Sequence, residues 1–175
     1  DNPVCEGMAV STGSARAIQA RKLAAEMLLA QNPTSKKLQD IARSLGIEKP
    51  RFNLPSKECI LCQLCVRACH EVVGAGAISF VSRGPGRDVE PQMVFDIERC
   101  IACGSCAYIC PTAAVTLNDA SGKRAINTPS GKMEFAMRAC AKCGAYFAPE
   151  KQLDYMARKS GLPQDKFTLC LDCRD

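Results

Sequence analysis

The chain has 175 residues, 13 cysteines, no tryptophan and a formal charge of +5. That length holds one domain, or one domain with an appended module. Cysteine at about 7 per cent leaves two classes, a disulfide-stapled secreted chain or a metal-loaded chain in a reducing compartment. No apolar run approaches a membrane span and no leader pattern is visible, so a cytoplasmic protein from an anaerobic setting, without direct membrane insertion, is expected. The basic charge alone would suit nucleic acid. No basic run with interleaved aromatics is present, however, and three tetrathiolate metal sites at about −2 each would bring the net charge to about −1, so no nucleic-acid partner is expected.

In chain order, Asp1 to Gly13 reads as an extended lead-in whose lone Cys5 matches no partner by spacing. Ser14 is placed to cap a helix running to Gln31, with Ile18, Ala25 and Leu28 on one face, Ala17, Ala24 and Leu29 beside them, and Arg16, Arg21, Lys22 and Glu26 in solvent. Asn32-Pro33 stops it. Thr34 or Ser35 caps a second helix to Leu45, its apolar face formed by Leu38, Ile41, Ala42 and Leu45, and Gly46 ends it. The pair forms a helical hairpin without metal ligands, a packing or docking element. With the Ile47–Lys57 linker it makes a first region, residues 1–57.

The second region, residues 58–128, carries the chemistry. Cys59, Cys62, Cys65 and Cys69 follow C-x2-C-x2-C-x3-C, and Cys100, Cys103, Cys106 and Cys110 repeat it 41 residues later, with Pro111 behind. A [4Fe–4S] cube needs one soft thiolate at each of its four irons. Three cysteines two residues apart can wrap three corners. The fourth, about one helical turn on, is aimed away from its own loop, and in two-cluster ferredoxins it ligates the other cube. The expected ligands are therefore Cys59, Cys62, Cys65 and Cys110 for one cluster, and Cys100, Cys103, Cys106 and Cys69 for the other. Ile60, Leu61, Leu64, Val66, Ile101, Ala102, Tyr108 and Ile109 are expected to shield them. Disulfides give no reason for the repeated triplet; zinc remains the alternative for each run.

Ala77 to Ser82 reads as a strand that pairs with Met93 to Asp96 across a polar loop, Gly84-Pro85-Gly86, flanked by Arg83, Arg87 and Asp88. Ala114 to Leu117 and Arg124 to Asn127 form a hairpin around Asn118–Gly122. His70, the only histidine, stands where the second run has Pro111 and reads as a surface residue, with a pH-linked influence on the nearby cluster as the alternative.

The third region, residues 129–175, contains Cys140-Ala-Lys-Cys143 and Cys170-Leu-Asp-Cys173. Four soft ligands in two knuckles imply a metal, either a third [4Fe–4S] cube, the expected occupant, or structural zinc. Between them Pro149 to Ser160 reads as a helix with Leu153, Met156 and Ala157 on one face and Gly161 as its stop. Tyr146, Phe147, Phe167 and Leu169 are available to cover the site. The fold class expected is α+β: a bacterial-type two-[4Fe–4S] ferredoxin core with an N-terminal helical hairpin and a C-terminal CxxC…CxxC cluster-binding module.

Glu6-Gly7-Met8, Arg21-Lys22 through Leu28-Leu29, Leu45-Gly46-Ile47, Arg51-Phe52, Cys59 through Glu71-Val72, and Arg83-Gly84 carry a resemblance. Residues 7–117 are similar to the ferredoxin-like part of the large iron–sulfur subunit of respiratory complex I, shared with iron-only hydrogenases. Those relatives also have a [2Fe–2S] domain and a His/Cys-ligated cluster after the first helix, and this sequence shows neither. With the C-terminal CxxC pair, the whole looks most like the family of small electron-transfer subunits of class II, tungsten-dependent benzoyl-CoA reductases. The resemblance implies three [4Fe–4S] clusters, a larger tungsten or molybdenum catalytic subunit in aromatic degradation, and a further electron-transfer subunit or ferredoxin as partners. No residue set suggests a nucleophile or an acid/base pair, so the chain is not expected to be catalytic alone. A free-standing soluble polyferredoxin and a cluster-based redox sensor or scaffold are the alternatives.

Overall fold

The computed structural model describes residues 3–54, 58–81 and 92–174, and of Gln92 only the backbone. It divides into two compact units, Asp1–Ile60 and Leu61–Asp175. The expectations for Pro55–Lys57, for a strand reaching Ser82 and for the Arg83–Asp88 loop lie outside the described residues.

In the first unit, α1 spans Ala15–Gln31 and α2 spans Lys36–Ser44. Ser14 caps α1 by accepting from the Ala17 N–H at 3.3 Å, and Ser35 caps α2 by accepting from Leu38. Asn32 closes the corner between them. Its side-chain oxygen accepts from the Ser35 N–H at 3.1 Å and the Thr34 hydroxyl at 3.2 Å, and its amide donates to the Glu58 carbonyl. At the end of α2 the Ile47 N–H returns to the Ala42 carbonyl, a closure that needs the left-handed Gly46, φ 74°. Leu29, Leu38 and Ala42 form the shared core with Ile47.

The packing face of α1 differs from the expected one. Ala25, Glu26, Leu29 and Ala30 are buried, whereas Ile18 and Leu28 are exposed. Glu26, expected in solvent, is 4% exposed. The reason lies 25 residues away: Arg51 turns back, and its backbone N–H (2.6 Å), Nε (2.8 Å) and Nη2 (2.7 Å) all donate to the Glu26 carboxylate. Those Arg51 hydrogen bonds hold the Glu26 carboxyl below the usual range. A lowered folded value means that the ion pair stabilises this unit above the ordinary carboxylate pKa and is lost as pH falls through the folded one. Glu26→Gln is therefore expected to lower the melting temperature by several degrees at neutral pH. That difference should shrink on acidification toward about pH 3, as thermal melts across pH would show.

The second unit starts at the first cysteine run. A helical turn α3 (Leu64–Arg67) continues into a wider π-helical turn, Ala68–Val72. Then β1 (Ile78–Val81) pairs antiparallel with β2 (Gln92–Phe95), Ile78 opposite Phe95. The equivalent helix of the second run, α4 (Ser105–Ile109), stops after five residues. Pro111 disfavours the helical region for Cys110, which takes ψ 117°, whereas His70 imposes no such stop.

A four-stranded antiparallel meander follows: β3 (Thr116–Ala120), β4 (Lys123–Thr128), β5 (Gly131–Ala139) and β6 (Tyr146–Pro149). The β3–β4 strands run farther than expected and close on two residues, Ser121 (φ 50°) and Gly122 (φ 73°), both left-handed as a type I′ turn requires. The division at 128/129 falls in the turn between β4 and β5, which are paired in register, Thr128 opposite Gly131. Helix α5 (Glu150–Ser160) buries Leu153 and Ala157 and ends at left-handed Gly161. Met156, expected on that face, is exposed.

The core of this unit sits between β1–β2, α4 and the inner face of β4–β5. Ala77, Ile78, Met93, Val115, fully buried Ile126 and Phe135 surround three buried cysteines, Cys69, Cys100 and Cys106. Among the described residues, no helix is long and apolar enough to cross a membrane.

Candidate iron–sulfur and metal centres

The two cysteine loops share a backbone signature. Leu61 (φ 55°) and Gln63 (φ 64°) in the first run, and Ala102 (φ 58°) and Gly104 (φ 81°) in the second, all lie in the left-handed region. These positions correspond under the 41-residue offset. Non-glycine residues held there cost about 1 kcal/mol or more each, and such conformations concentrate at ligand-clamping sites.

Cys69, Cys100, Cys103 and Cys106 line one small apolar pocket, walled by Ala77, Ile78, Ala102 and Ile126. Cys69 comes from the first run and the other three from the second. The Ala77 N–H donates to Cys69 Sγ at 3.2 Å, and Ser105 Oγ lies 3.3 Å from Cys103 Sγ. Burial pushes the Cys106 thiol up to about 12, with Cys100, Cys103 and Cys65 adding to it, and burial also raises Cys100. Thiols that resist ionisation in an apolar cavity become thiolates when cations supply the compensating charge, so proton release accompanies metal loading. Four soft donors converging on one apolar pocket are the donor set that a [4Fe–4S] cube takes.

Cys65 and Cys110 are half-buried and pack against the same cluster of buried residues, Cys65 Sγ lying 3.4 Å from Met93 Sδ. Burial works to raise Cys110. The Val115 N–H, the Thr112 hydroxyl and N–H, and the Ala114 N–H together outweigh it and hold this thiol below its ordinary value. Cys62 is exposed; Cys59 is half-buried at the end of the first unit. Of the expected shielding residues, Ile101 and Ala102 are buried, Leu61 and Val66 half-buried, and Tyr108 is 94% exposed, because it sits on the outer side of the short α4. Cys5 and His70 are exposed.

Arg124 was missed by sequence reasoning. Its guanidinium clamps Asp119 through two hydrogen bonds, at 2.7 and 2.6 Å, and donates a third to the carbonyl of left-handed Ala102 at 3.1 Å. It thereby ties the β3–β4 hairpin to the second cysteine loop. The only signal for it in the sequence is an arginine placed to face an aspartate across a tight turn. Arg124→Met is expected to shift the midpoint potential of one cluster while leaving the other in place. Arg124→Lys should not restore it, because the planar fork is lost. Anoxic redox titration followed by electron paramagnetic resonance would read both.

The C-terminal cysteines also converge. The Sγ atoms of Cys140, Cys143, Cys170 and Cys173 all lie within 4.8 Å of one another. Cys140 and Cys170 are buried, Cys173 half-buried and Cys143 exposed. Backbone N–H groups of Cys170 and Cys143 pull the Cys140 thiol down to about 6, whereas hydrogen bonding to Cys170 and burial push Cys173 up to about 12. Phe167, Leu153 and Ala157 form the small core behind, flanked by Phe147, while Tyr146 is exposed.

Residues 58–114 match the family model described as a 4Fe–4S dicluster domain. The chain is 28% identical over 140 residues to the NADP-reducing hydrogenase subunit HndD of Solidesulfovibrio fructosivorans, covering 65% of this chain and 24% of that protein. It is 30% identical over 137 residues to an NADH-quinone oxidoreductase subunit of Rhizobium meliloti (strain 1021), covering 63% and 16%. It is 29% identical over 140 residues to the NADPH-Fe(3+) oxidoreductase subunit alpha of Geobacter sulfurreducens (strain DL-1 / KN400), covering 66% and 16%. The chain thus spans between about a sixth and a quarter of the length of these curated relatives. It carries a 4Fe–4S dicluster domain within a mixed helix-and-sheet fold, followed by a further four-cysteine group.

Proposed function

We propose that this chain is an iron–sulfur electron-transfer subunit of an oxidoreductase complex, relaying single electrons to or from a separate catalytic subunit. The observation that carries the reading is the cavity in which Cys69 of one run meets Cys100, Cys103 and Cys106 of the other. Cys59, Cys62, Cys65 and Cys110 are assigned to the partner cluster by spacing and by the same exchange. When bound, a cube supplies a one-electron store whose potential depends on burial and on hydrogen bonds to its sulfurs. The chain's own residues set those terms. Ala77, Val115 and Ala114 offer N–H groups to the fourth cysteines, Ile101, Ala102 and Ile126 exclude water, and Arg124 holds the second loop.

Residues 58–128 form the cluster region of this proposal, with the helical hairpin of residues 1–57 before it. The β4–β5 ladder stitches residues 129–175 to its flank. Exposed Leu23 and Met27 on α1 suit docking to a larger subunit. The named relatives are subunits of a hydrogenase, a quinone-linked and an iron-reducing oxidoreductase. A tungsten or molybdenum partner of the class II benzoyl-CoA reductase type is the narrower proposal, resting on the sequence resemblance.

The test is a reductive titration under anoxia. Two reversible one-electron clusters with magnetically coupled resonance signals are expected. Clusters that cannot be reduced reversibly would turn the reading toward a scaffold.

A further inference from the structure

We infer that the C-terminal cysteine group, Cys140, Cys143, Cys170 and Cys173, binds a single tetrahedral zinc ion and not a third iron–sulfur cube. The inference stands apart from the electron-transfer reading, since it rests on the shape of this site alone.

Sulfur spacing decides between the occupants. A lone zinc ion at about 2.3 Å from each thiolate sets the edges of the sulfur tetrahedron at about 3.8 Å. All four Sγ atoms here lie within 4.8 Å of one another, and Cys143 Sγ and Cys170 Sγ are 3.8 Å apart. A cube encloses four irons and four sulfides inside its thiolate frame and spreads the four cysteines more widely. Among the described residues the cysteines of the twin runs form no such close set. Cys69, Cys100, Cys103 and Cys106 instead line the walls of one apolar pocket.

The backbone makes the same distinction. Each run of the dicluster domain places two left-handed residues between its ligands. Here the only left-handed residue beside a knuckle is Gly144, φ 75°, directly after Cys143. The first knuckle is a tight turn, the Gly144 N–H donating to the Cys140 carbonyl and the Cys140 N–H to the Ala145 carbonyl, both at 2.8 Å. The Ala141 N–H reaches the Thr168 carbonyl at 3.0 Å, and the Cys170 N–H reaches Cys140 Sγ at 3.4 Å, so the two knuckles are already docked on each other.

A staple suits this part of the fold. Behind the knuckles Leu153, Ala157 and Phe167 form a small buried cluster of their own, and a metal staple adds to what that cluster and the β4–β5 ladder hold. Zinc is redox-inert and contributes its binding energy directly to folding. The bond it makes fixes α5 at both ends. From that helix Tyr155 donates to the Val73 carbonyl and Lys151 to the Ile97 carbonyl, both at 2.8 Å, beside buried Cys100. The site thus anchors a helix against the cluster-binding core and leaves the dicluster domain with the only electron carriers of the described chain.

The experiment is metal and sulfide analysis of the whole chain, produced and purified under anoxia with iron and zinc both supplied, compared with Cys143→Ser/Cys173→Ser. The wild type is expected to hold about one zinc per chain, with a zinc-edge absorption spectrum of four sulfurs at about 2.3 Å and no iron neighbour. The double variant should lose that zinc and keep its iron and sulfide. A loss of about four irons and four sulfides would overturn the inference in favour of a cube; a loss of one iron without sulfide would overturn it in favour of a mononuclear iron centre. Should the variant fail to fold, the wild-type zinc spectrum decides alone. An iron-free protein with one zinc would leave this inference standing while removing the electron-transfer reading.

Discussion

Cys69→Ala is expected to abolish the cluster of the second cysteine run, although Cys69 belongs to the first. Its sulfur faces the cavity it shares with Cys100, Cys103 and Cys106 and accepts the Ala77 N–H there. Alanine offers no ligand, and three thiolates leave one iron corner bare. Iron and sulfide should each fall from about eight to about four per chain, and the coupling between reduced clusters should vanish. The residual resonance spectrum should match that of Cys100→Ala and differ from that of Cys62→Ala. A match to Cys62→Ala would mean that each run builds its own cluster, and the exchanged assignment would be wrong. Cys5→Ser, far from any knuckle in sequence and exposed, should leave iron content unchanged.

The proposed exchange is read from the chain through ligand spacing, a covalent property: two residues between cysteines make a loop, and three make a turn of helix. The caps at Ser14 and Ser35 and the stops at Gly46 and Gly161 are legible for the same local reason. What escapes is set by distant partners. Glu26 reads as one more charge on a solvated face until Arg51 arrives from across the unit. Arg124 reads as a strand residue until it meets the Ala102 carbonyl. Strand β5 does carry a period-two signal, with Met133, Phe135 and Met137 turned inward between Lys132, Glu134 and Ala136. The cysteine knuckle directly after it masks that signal. The short reach of the C-terminal sulfurs has no sequence signature at all, since C-x2-C serves zinc and iron–sulfur alike.

Gly104→Ala is expected to be the more damaging of two equivalent loop changes. Gly104 is buried at φ +81°, and an added Cβ would stand 2.5 Å from Leu117 Cδ1. Left-handed alanine costs about 1 kcal/mol, and displacing Leu117 from its place opposite Ile126 adds to it, for a total of about 1–3 kcal/mol. The loop between Cys103 and Cys106 must take up that shift, so the second cluster should also be lost faster to a chelator. Gln63 holds the matching place in the first run at φ 64°, and Gln63→Gly exchanges local strain for chain entropy. That variant should stay within about 1 kcal/mol of wild type. Denaturant unfolding under anoxia, with cluster absorbance as the second probe, would compare them. Equal stability of Gly104→Ala and wild type would show that the loop does not need its glycine.

The most direct measurement for the whole account is iron and acid-labile sulfide per chain in protein made and purified under strict anoxia. About eight of each is the result expected from two cubes held by the eight cysteines of the twin runs. A colourless preparation without iron or sulfide would contradict it.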